Sequence, residues 1–328
     1  MSGWVIGVDL GGTTISVGAA SRDGTRRAAL RTVATKAAEG ADAVVGRIVA
    51  EVRAVAADLE AGHGAARGDI LGVGIGSPGP LDRASGVVIV TPNLGWTNFP
   101  LRDRVAAGTG FDATLDNDAN CAALGEWWQG GARGGRHVVA FTLGTGVGGG
   151  LIVNGRLFHG ASDVAGEIGH MTIETGGRRC GCGNHGCLEA YASGPAIAAR
   201  AREALGGHGA SVLRDRCGGD LAALTAAHVY AAAAEGDPVA QAIVRETAMY
   251  LGVGVANMLN VFNPDVVVLA GGVAQAGDAL FGPLRDEVAR RAFAPAVAAA
   301  RIVPGTLGAE AGVVGAAATF LQQRGLGA

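Results

Sequence analysis

Trp4-Val5-Ile6-Gly7-Val8-Asp9-Leu10-Gly11-Gly12-Thr13-Thr14-Ile15-Ser16-Val17-Gly18-Ala19 is the stretch that decides the fold class. The β-branched run Trp4 to Val8 reads as a strand ending at Asp9, Gly11-Gly12 as a turn, and Thr13 to Ala19 as a second strand. About 135 residues on, the pattern returns as Val138 to Leu143, Gly144-Thr145-Gly146-Val147-Gly148-Gly149-Gly150, then Leu151-Ile152-Val153. Both copies close on a polar turn, Ser21-Arg22-Asp23-Gly24 and Asn154-Gly155. Two strand–turn–strand copies predict duplicated halves. Around them, Ile70 to Ile75, Ala113 to Leu115 and Val266 to Ala270 read as strands. Ala41 to Leu59, Ala119 to Gln129, Pro195 to Leu205 and Pro238 to Leu259 read as helices. The alternation predicts α/β layering.

The chain of 328 residues is long enough for about two domains. Apolar residues make up 49% and charged residues 17%, so a sizeable core is available. The net charge of −3, with no basic stripe, argues against a nucleic-acid partner, which needs clustered cations to displace counterions. Mean hydropathy is +0.30, yet the longest clean apolar run, Ala311 to Leu321, is too short to span a bilayer and reads as a core helix. No cationic leader precedes the first strand, so no secretory signal is read and a cytoplasmic location is expected. Disulfides are rare there, and the five cysteines need another explanation.

Gly144-x-Gly146-x-x-Gly149 matches a dinucleotide fingerprint but not its context, because such a loop must open a helix and Leu151 to Val153 reads as strand. Lys36 is the only lysine and lies in no G-x-x-x-x-G-K-[ST] loop, so a P-loop is excluded. Protein-kinase motifs are absent as well. Glycines in either turn would still let backbone amides approach a polyphosphate. Asp9 to Thr14, Leu143 to Gly150 and Leu269-Ala270-Gly271-Gly272-Val273, in that order, resemble the sugar kinase, actin and chaperone ATPase superfamily. That resemblance implies a two-domain actin-like ATPase fold with a cleft between the domains. It implies an α/β domain over residues 1–118, a second over 119–311 holding the second phosphate loop, and a C-terminal helix over about 312–328 packing back on the first. It also implies ATP, with Asp9 holding Mg²⁺ through water and Gly11, Gly12, Thr13, Thr14, Gly144, Thr145 and Gly146 around the phosphates. Gly271 and Gly272 would meet the adenosine.

His170, Cys180, Cys182 and Cys187 put one imidazole and three thiols within 18 residues, a standard donor set for structural Zn²⁺. The single residue between Cys180 and Cys182 demands a sharp reversal, for which Gly181, Gly183 and Gly186 are suited. A redox pair fits the spacing less well. Cys121 and Cys217 read as buried thiols.

Glu167-Ile168-Gly169-His170 followed by Cys180-Gly181-Cys182-Gly183-Asn184-His185-Gly186-Cys187-Leu188-Glu189 resembles the signature of the ROK family, which comprises bacterial sugar kinases and sugar-responsive repressors. Thr91-Pro92-Asn93-Leu94-Gly95-Trp96 and Asn117-Asp118-Ala119-Asn120 to Glu126 resemble its glucokinase branch. The expected activity is ATP-dependent phosphorylation of glucose to glucose 6-phosphate, with the same fold acting on another hexose as the alternative. The resemblance makes Asp118 the general base, and Asn93, Asn117, Glu167, His170 and Glu189 hexose contacts with the Gly79 backbone nearby. His170 would serve twice, one ring nitrogen on zinc and the other toward a sugar hydroxyl. Spacing alone allows a plainer role for Asp118, as N-cap of the 119–129 helix. Trp96 fits the sugar side or the core, while Trp127 and Trp128 fit core packing.

One position departs from the family. Its first loop commonly reads D-x-G-G-T-K, and Thr14 stands where that lysine would be. Polyphosphate is therefore an alternative donor. A repressor is disfavoured, because the first phosphate hairpin already begins at Trp4 and leaves no room for a helix-turn-helix. A filament or chaperone ATPase gives no reason for the cysteine cluster. The family implies a homodimer or homotetramer.

Overall fold

The two glycine turns close antiparallel hairpins of the same build. In a computed structural model describing residues 3–206 and 211–328, β1 (Trp4–Leu10) pairs with β2 (Thr14–Ser21), and the Gly11 amide donates to the Thr14 carbonyl at 2.8 Å. β3 (Arg27–Ala34) extends the hairpin, and α1 (Ala41–His63) leads to β4 (Ile70–Ser77), parallel to β1. A small antiparallel sheet follows, made of β5 (Leu81–Asp82), β6 (Val87–Thr91) and β7 (Trp96–Phe99). Then come α2 (Leu101–Thr109), β8 (Ala113–Asn117) and α3 (Asp118–Gln129). The main sheet runs β3-β2-β1-β4-β8.

The second hairpin joins β9 (His137–Leu143) to β10 (Val147–Val153), and β11 (Arg156–Leu157) flanks it. Five helices follow: α4 (Glu189–Ala192), α5 (Gly194–Leu205), α6 (Leu213–Arg216), α7 (Ala226–Ala234) and α8 (Pro238–Phe262). β12 (Val266–Ala270), α9 (Asp278–Arg291), α10 (Ala294–Ala299), β13 (Arg301–Pro304) and α11 (Ala311–Gln323) complete the chain. This sheet runs β11-β10-β9-β12-β13, the order of the first one repeated. The duplication read from the hairpins therefore extends to whole sheets. One detail differs from the sequence reading: Gly148, Gly149 and Gly150 are strand residues, not turn. A Cβ on Gly150 would press within 2.5 Å of the Ala123 Cβ, so this glycine lets β10 lie against α3.

The chain divides into two compact units. One comprises the chain up to Gly135 with Gly150–Gly166 and Thr306–Ala328; the other comprises Arg136–Gly149 and Glu167–Gly305. Residue 118, where the sequence reading divides the domains, falls inside the first unit, because α3 packs along α11. α1 buries Val44, Ile48, Val52, Val55 and Leu59, a stripe of helical period, against one face of the first sheet. α11 lies on the other face. Glycines let it approach: a Cβ on Gly7 would overlap the Val313 carbonyl, and one on Gly74 the Ala316 carbonyl. Every residue from Ala311 to Leu321 is buried, which explains the apolar run. In the second unit β12 is buried throughout, and α8 packs on α7 and α9. Pro238 opens α8 behind the Asp237 cap, where a missing N–H costs nothing. No helix among the described residues is long and apolar enough to cross a membrane.

Candidate functional site

Within the first unit the glycine turn and two carboxylates come together at the C-terminal ends of β1, β4 and β8. Thr35 holds the turn: its amide donates to the Thr13 carbonyl at 2.8 Å and its hydroxyl to the Gly11 carbonyl at 2.7 Å. Thr13 and Thr14 are left exposed at the tip. Asp9 ends the hairpin strand, half-buried beneath α11, where a Cβ on Gly312 would lie 2.9 Å from Oδ1 and closer still to Oδ2. Burial, and then the nearby Asp118 charge, pushes the Asp9 carboxyl up to about 7. Two close carboxyls, one largely withdrawn from water, suit a hydrated divalent cation that would relieve their repulsion.

Asp118 is the first residue of α3, and its Oδ1 accepts from the Ala119 amide at 2.8 Å. It is not the helix cap. Asn117 is, with its Oδ1 accepting from Ala119 at 2.9 Å and Asn120 at 3.1 Å. The cap role weighed for Asp118 belongs one residue earlier, and Asn117, expected on the sugar, has its carbonyl oxygen committed to the helix. Gly76 lets β4 reach this corner, since a Cβ there would sit 3.1 Å from the Cys121 sulfur. Asn93 is exposed and lies beside the first turn, 3.2 Å from where a Gly12 Cβ would be. Gly79 turns with φ +90°, a left-handed conformation that brings it against the Val90 carbonyl. Trp96 is core, buried against Phe99 at 4.5 Å between rings. Trp127 and Trp128 are half-buried, and the Trp127 indole donates to the Gly135 carbonyl at 2.6 Å.

Beside Asp118 lies a charge cluster that the sequence reading missed. Asp116 is 1% exposed, and its carboxylate meets His159 Nε2 at 3.0 Å, Arg83 Nε at 3.1 Å and Gln323 Nε2 at 3.2 Å. It also accepts from the Asn117 amide at 2.9 Å. Arg83 in turn reaches Asp163 at 3.2 Å. Burial alone would raise the Asp116 carboxyl; the hydrogen bond and charge of His159 and the Arg83 charge outweigh it, and the group sits below the usual carboxylate range. The partners come from positions 83, 116, 159, 163 and 323, so no local motif announces them. The only signal was a carboxylate, Asp116, beside an apolar residue in a short strand.

In the second unit the other glycine turn meets the cysteine loop. The Gly144 amide donates to the Gly146 carbonyl at 3.0 Å, and Thr145 is exposed. Glu189, opening α4, accepts the Val147 amide on Oε2 at 3.0 Å, while its Oε1 lies 3.6 Å from the Cys180 sulfur. One carboxylate thus spans from the turn to the cluster. The donor atoms of His170, Cys180, Cys182 and Cys187 all lie within 4.8 Å of one another. Cys182 and Cys187 sulfurs are 3.8 Å apart, and the Cys180 sulfur is 3.7 Å from His170 Nδ1. A zinc tetrahedron with sulfur at about 2.3 Å and nitrogen at about 2.0 Å has edges of about 3.8 and 3.5 Å, so the four residues fit Zn²⁺. Burial pushes the Cys180 thiol up to about 12, so a bound cation would have to supply the charge that makes it a thiolate. Gly183 and Gly186 take positive φ, 95° and 73°, in the reversal; Gly181 does not. With Nδ1 toward the thiols, His170 Nε2 faces outward, 4.0 Å from the exposed Glu167 carboxylate. Cys121 and Cys217 are buried free thiols.

A cavity of about 690 Å³ opens from this same turn. Gly144, Thr145, Ala198, Arg202, Tyr230 and Gly272 are among the residues that line it. A Cβ on Gly271, at φ +92°, would fall 2.5 Å from the Leu143 carbonyl oxygen, so glycine lets the chain after β12 lie close against β9.

The chain matches the ROK family over residues 5–323. It is 40% identical over 324 residues to a glucokinase from Thermotoga maritima, covering 98% of both chains. A crystal structure of a ROK family glucokinase from Streptomyces griseus, in complex with glucose and AMPPNP, superposes with a TM-score of 0.82 at 35% identity, covering 97% of this chain and 99% of that one. A xylose repressor of a Caldicellulosiruptor strain, itself a putative assignment, is 37% identical over 68% of this chain and 56% of its own length. The fold is that of the two-domain actin-like ATPases, and the chain belongs to the ROK family.

Proposed function

We propose that the protein is an ATP-dependent glucokinase that transfers the terminal phosphoryl group to the 6-hydroxyl of glucose. What supports this most is the closeness of Asp118 and Asp9 in the first unit: a carboxylate on the first residue of a helix, beside a second carboxyl suited to a cation. Asp118 accepts the proton of the sugar hydroxyl as that oxygen bonds to phosphorus and the bond to the leaving ADP breaks. Mg²⁺, when bound, neutralises phosphate charge, and Asp9 is the residue that would hold it through water. The turn amides around Gly11 to Thr14 and Gly144 to Gly146 orient the phosphates. His170, whose Nδ1 would be held by zinc, presents Nε2 to a hexose hydroxyl, and Glu167 and Glu189 accept from others. Zinc in this reading is structural.

Two observations weigh on the donor. Thr14 leaves the first turn without the family's lysine, which favours a donor whose charge is handled by amides and cation alone. The mostly apolar cavity beside Gly144 favours one that carries a base, and so ATP over polyphosphate. Similarity over the full length of a glucokinase, against half of a repressor, supports an enzyme. A cytoplasmic homodimer or homotetramer without a nucleic-acid partner belongs to the same reading.

The test is initial-rate ADP formation with Mg-ATP over a panel of hexoses. Glucose-dependent turnover that Asp118→Asn lowers by about 10²- to 10⁴-fold is expected. Preference for another hexose would change the substrate and keep the site. Absence of turnover with every sugar, with ATP and with polyphosphate, would overturn the proposal.

A further inference from the structure

Among the described residues, the cavity beside Gly144 has one cation in its wall, Arg202, and that guanidinium makes neither a hydrogen bond nor an ion pair. The carboxylate next to it in sequence, Glu203, is taken by Arg178 at 2.8 Å. A half-buried guanidinium in the wall of a largely apolar hollow offers a ligand ring a cationic face to stack on.

The geometry of α5 says which part of a ligand that would be. Its first residue, Gly194, is tied to the phosphate turn by a 2.8 Å hydrogen bond from its amide to the Gly144 carbonyl. Gly194, Ala198 and Arg202 follow at four-residue spacing on one face, and all three line the cavity. Eight residues of helix rise about 12 Å, so the Arg202 backbone stands well away from the turn. That is the separation between the base of an extended nucleoside triphosphate and its terminal phosphates. Tyr230, on α7, also lines the cavity, with its hydroxyl buried and without a hydrogen-bond partner among the described residues.

We infer that Arg202 is a base-recognising residue of the nucleotide site, its planar guanidinium stacking on a purine ring. The inference rests on the kinase reading above and adds to it the residue that makes the donor a nucleotide. A purine gives the guanidinium an extended π-face; a pyrimidine gives less, and polyphosphate none.

Direct binding separates this from turnover. Affinities for ADP, UDP and tripolyphosphate are measured by calorimetry on the parent and on Arg202→Ala and Arg202→Met, the second keeping the apolar bulk. Both variants should lose about 5- to 30-fold in ADP affinity, the range of a partly desolvated cation–π contact. Tripolyphosphate should bind as before, and the preference for ADP over UDP should shrink. Equal ADP affinity in parent and variants overturns the role of Arg202 and leaves the kinase reading standing. Equal losses for ADP and tripolyphosphate overturn it also, since Arg202 would then serve phosphate. A parent protein that binds no ADP overturns both readings together.

Discussion

Gly312→Ala should separate activity from stability in this protein. Gly312 is the second residue of α11, and a Cβ there falls 2.9 Å from Asp9 Oδ1 and nearer to Oδ2, whereas ordinary contact begins at 3.4 Å. The carboxylate would have to withdraw by on the order of 1 Å, turning about its own short side chain. The stability terms nearly cancel: overpacking costs about 1–3 kcal/mol, and alanine gains up to about 1 kcal/mol over glycine in a helix. A loss of about 0–2 kcal/mol is left, worth only a few degrees in melting temperature. Activity should respond far more, because displacing a catalytic group by about 1 Å can cost about 10²-fold. The assay pairs thermal melting with glucose-dependent kcat across a Mg²⁺ titration. Gly46→Ala is the control: this glycine lies inside α1 with nothing within 4 Å of its added Cβ, so it should gain about 0.5–1 kcal/mol and keep full activity. A Gly312→Ala enzyme with unchanged kcat and Mg²⁺ requirement would refute the placement of Asp9 at the reacting phosphates.

In the cation-free protein the Asp9 carboxyl is raised from 3.8 to about 7, so its contribution to stability is present below pH 3.8 and is lost as pH rises through 7. Asp9→Asn should flatten that decline in melting temperature between pH 4 and 8, and an unaltered slope would count against the assignment. Asp116 carries the opposite sign: its lowered carboxyl stabilises the fold above the ordinary aspartate range, and that stabilisation is lost as the pH falls through its folded-state pKa. His159→Leu removes one of several donors to this buried carboxylate and should cost about 1–3 kcal/mol in a urea melt, with His159→Gln recovering part. Equal stability of the leucine variant with the parent would rule out the cluster as a support for Asn117 and Asp118. Removing zinc with a chelator, or mutating Cys182→Ser, should raise the glucose KM at least about tenfold while ADP affinity holds. One released zinc per chain is the accompanying readout, and an unaffected KM would uncouple the cluster from hexose binding.

The hairpins, the buried strand Val266 to Ala270 and the metal cluster were legible because their signals are local. Glycine turns, β-branched runs and four donor residues within 18 positions carry their meaning in the neighbouring residues, whatever the rest of the chain does. Where the reading fell short, the deciding partner was distant. Asn117 and Asp118 are equally good caps by type; the β8 trajectory made Asn117 the cap and Asp118 the first residue of the helix. Gly148 to Gly150 looked like turn, and became strand because α3 packs close above Gly150. Asp116 draws on residues from 83 to 323, and the nucleotide-sized hollow needs α5, α7 and the turn after β12 at once.

The sequence by itself thus determined the strand–turn–strand duplication, its glycine turns, the cluster of one histidine and three cysteines and membership of the ROK family, because each depends on short-range backbone geometry or side-chain chemistry. Only the tertiary structure decided that Asn117 caps α3 with Asp118 as its first residue, how Asp9 is pressed under α11, and that Arg202 lines the cavity beside Gly144. Those outcomes depend on close packing and desolvation between segments far apart in the chain, and such terms exist only once the segments have met.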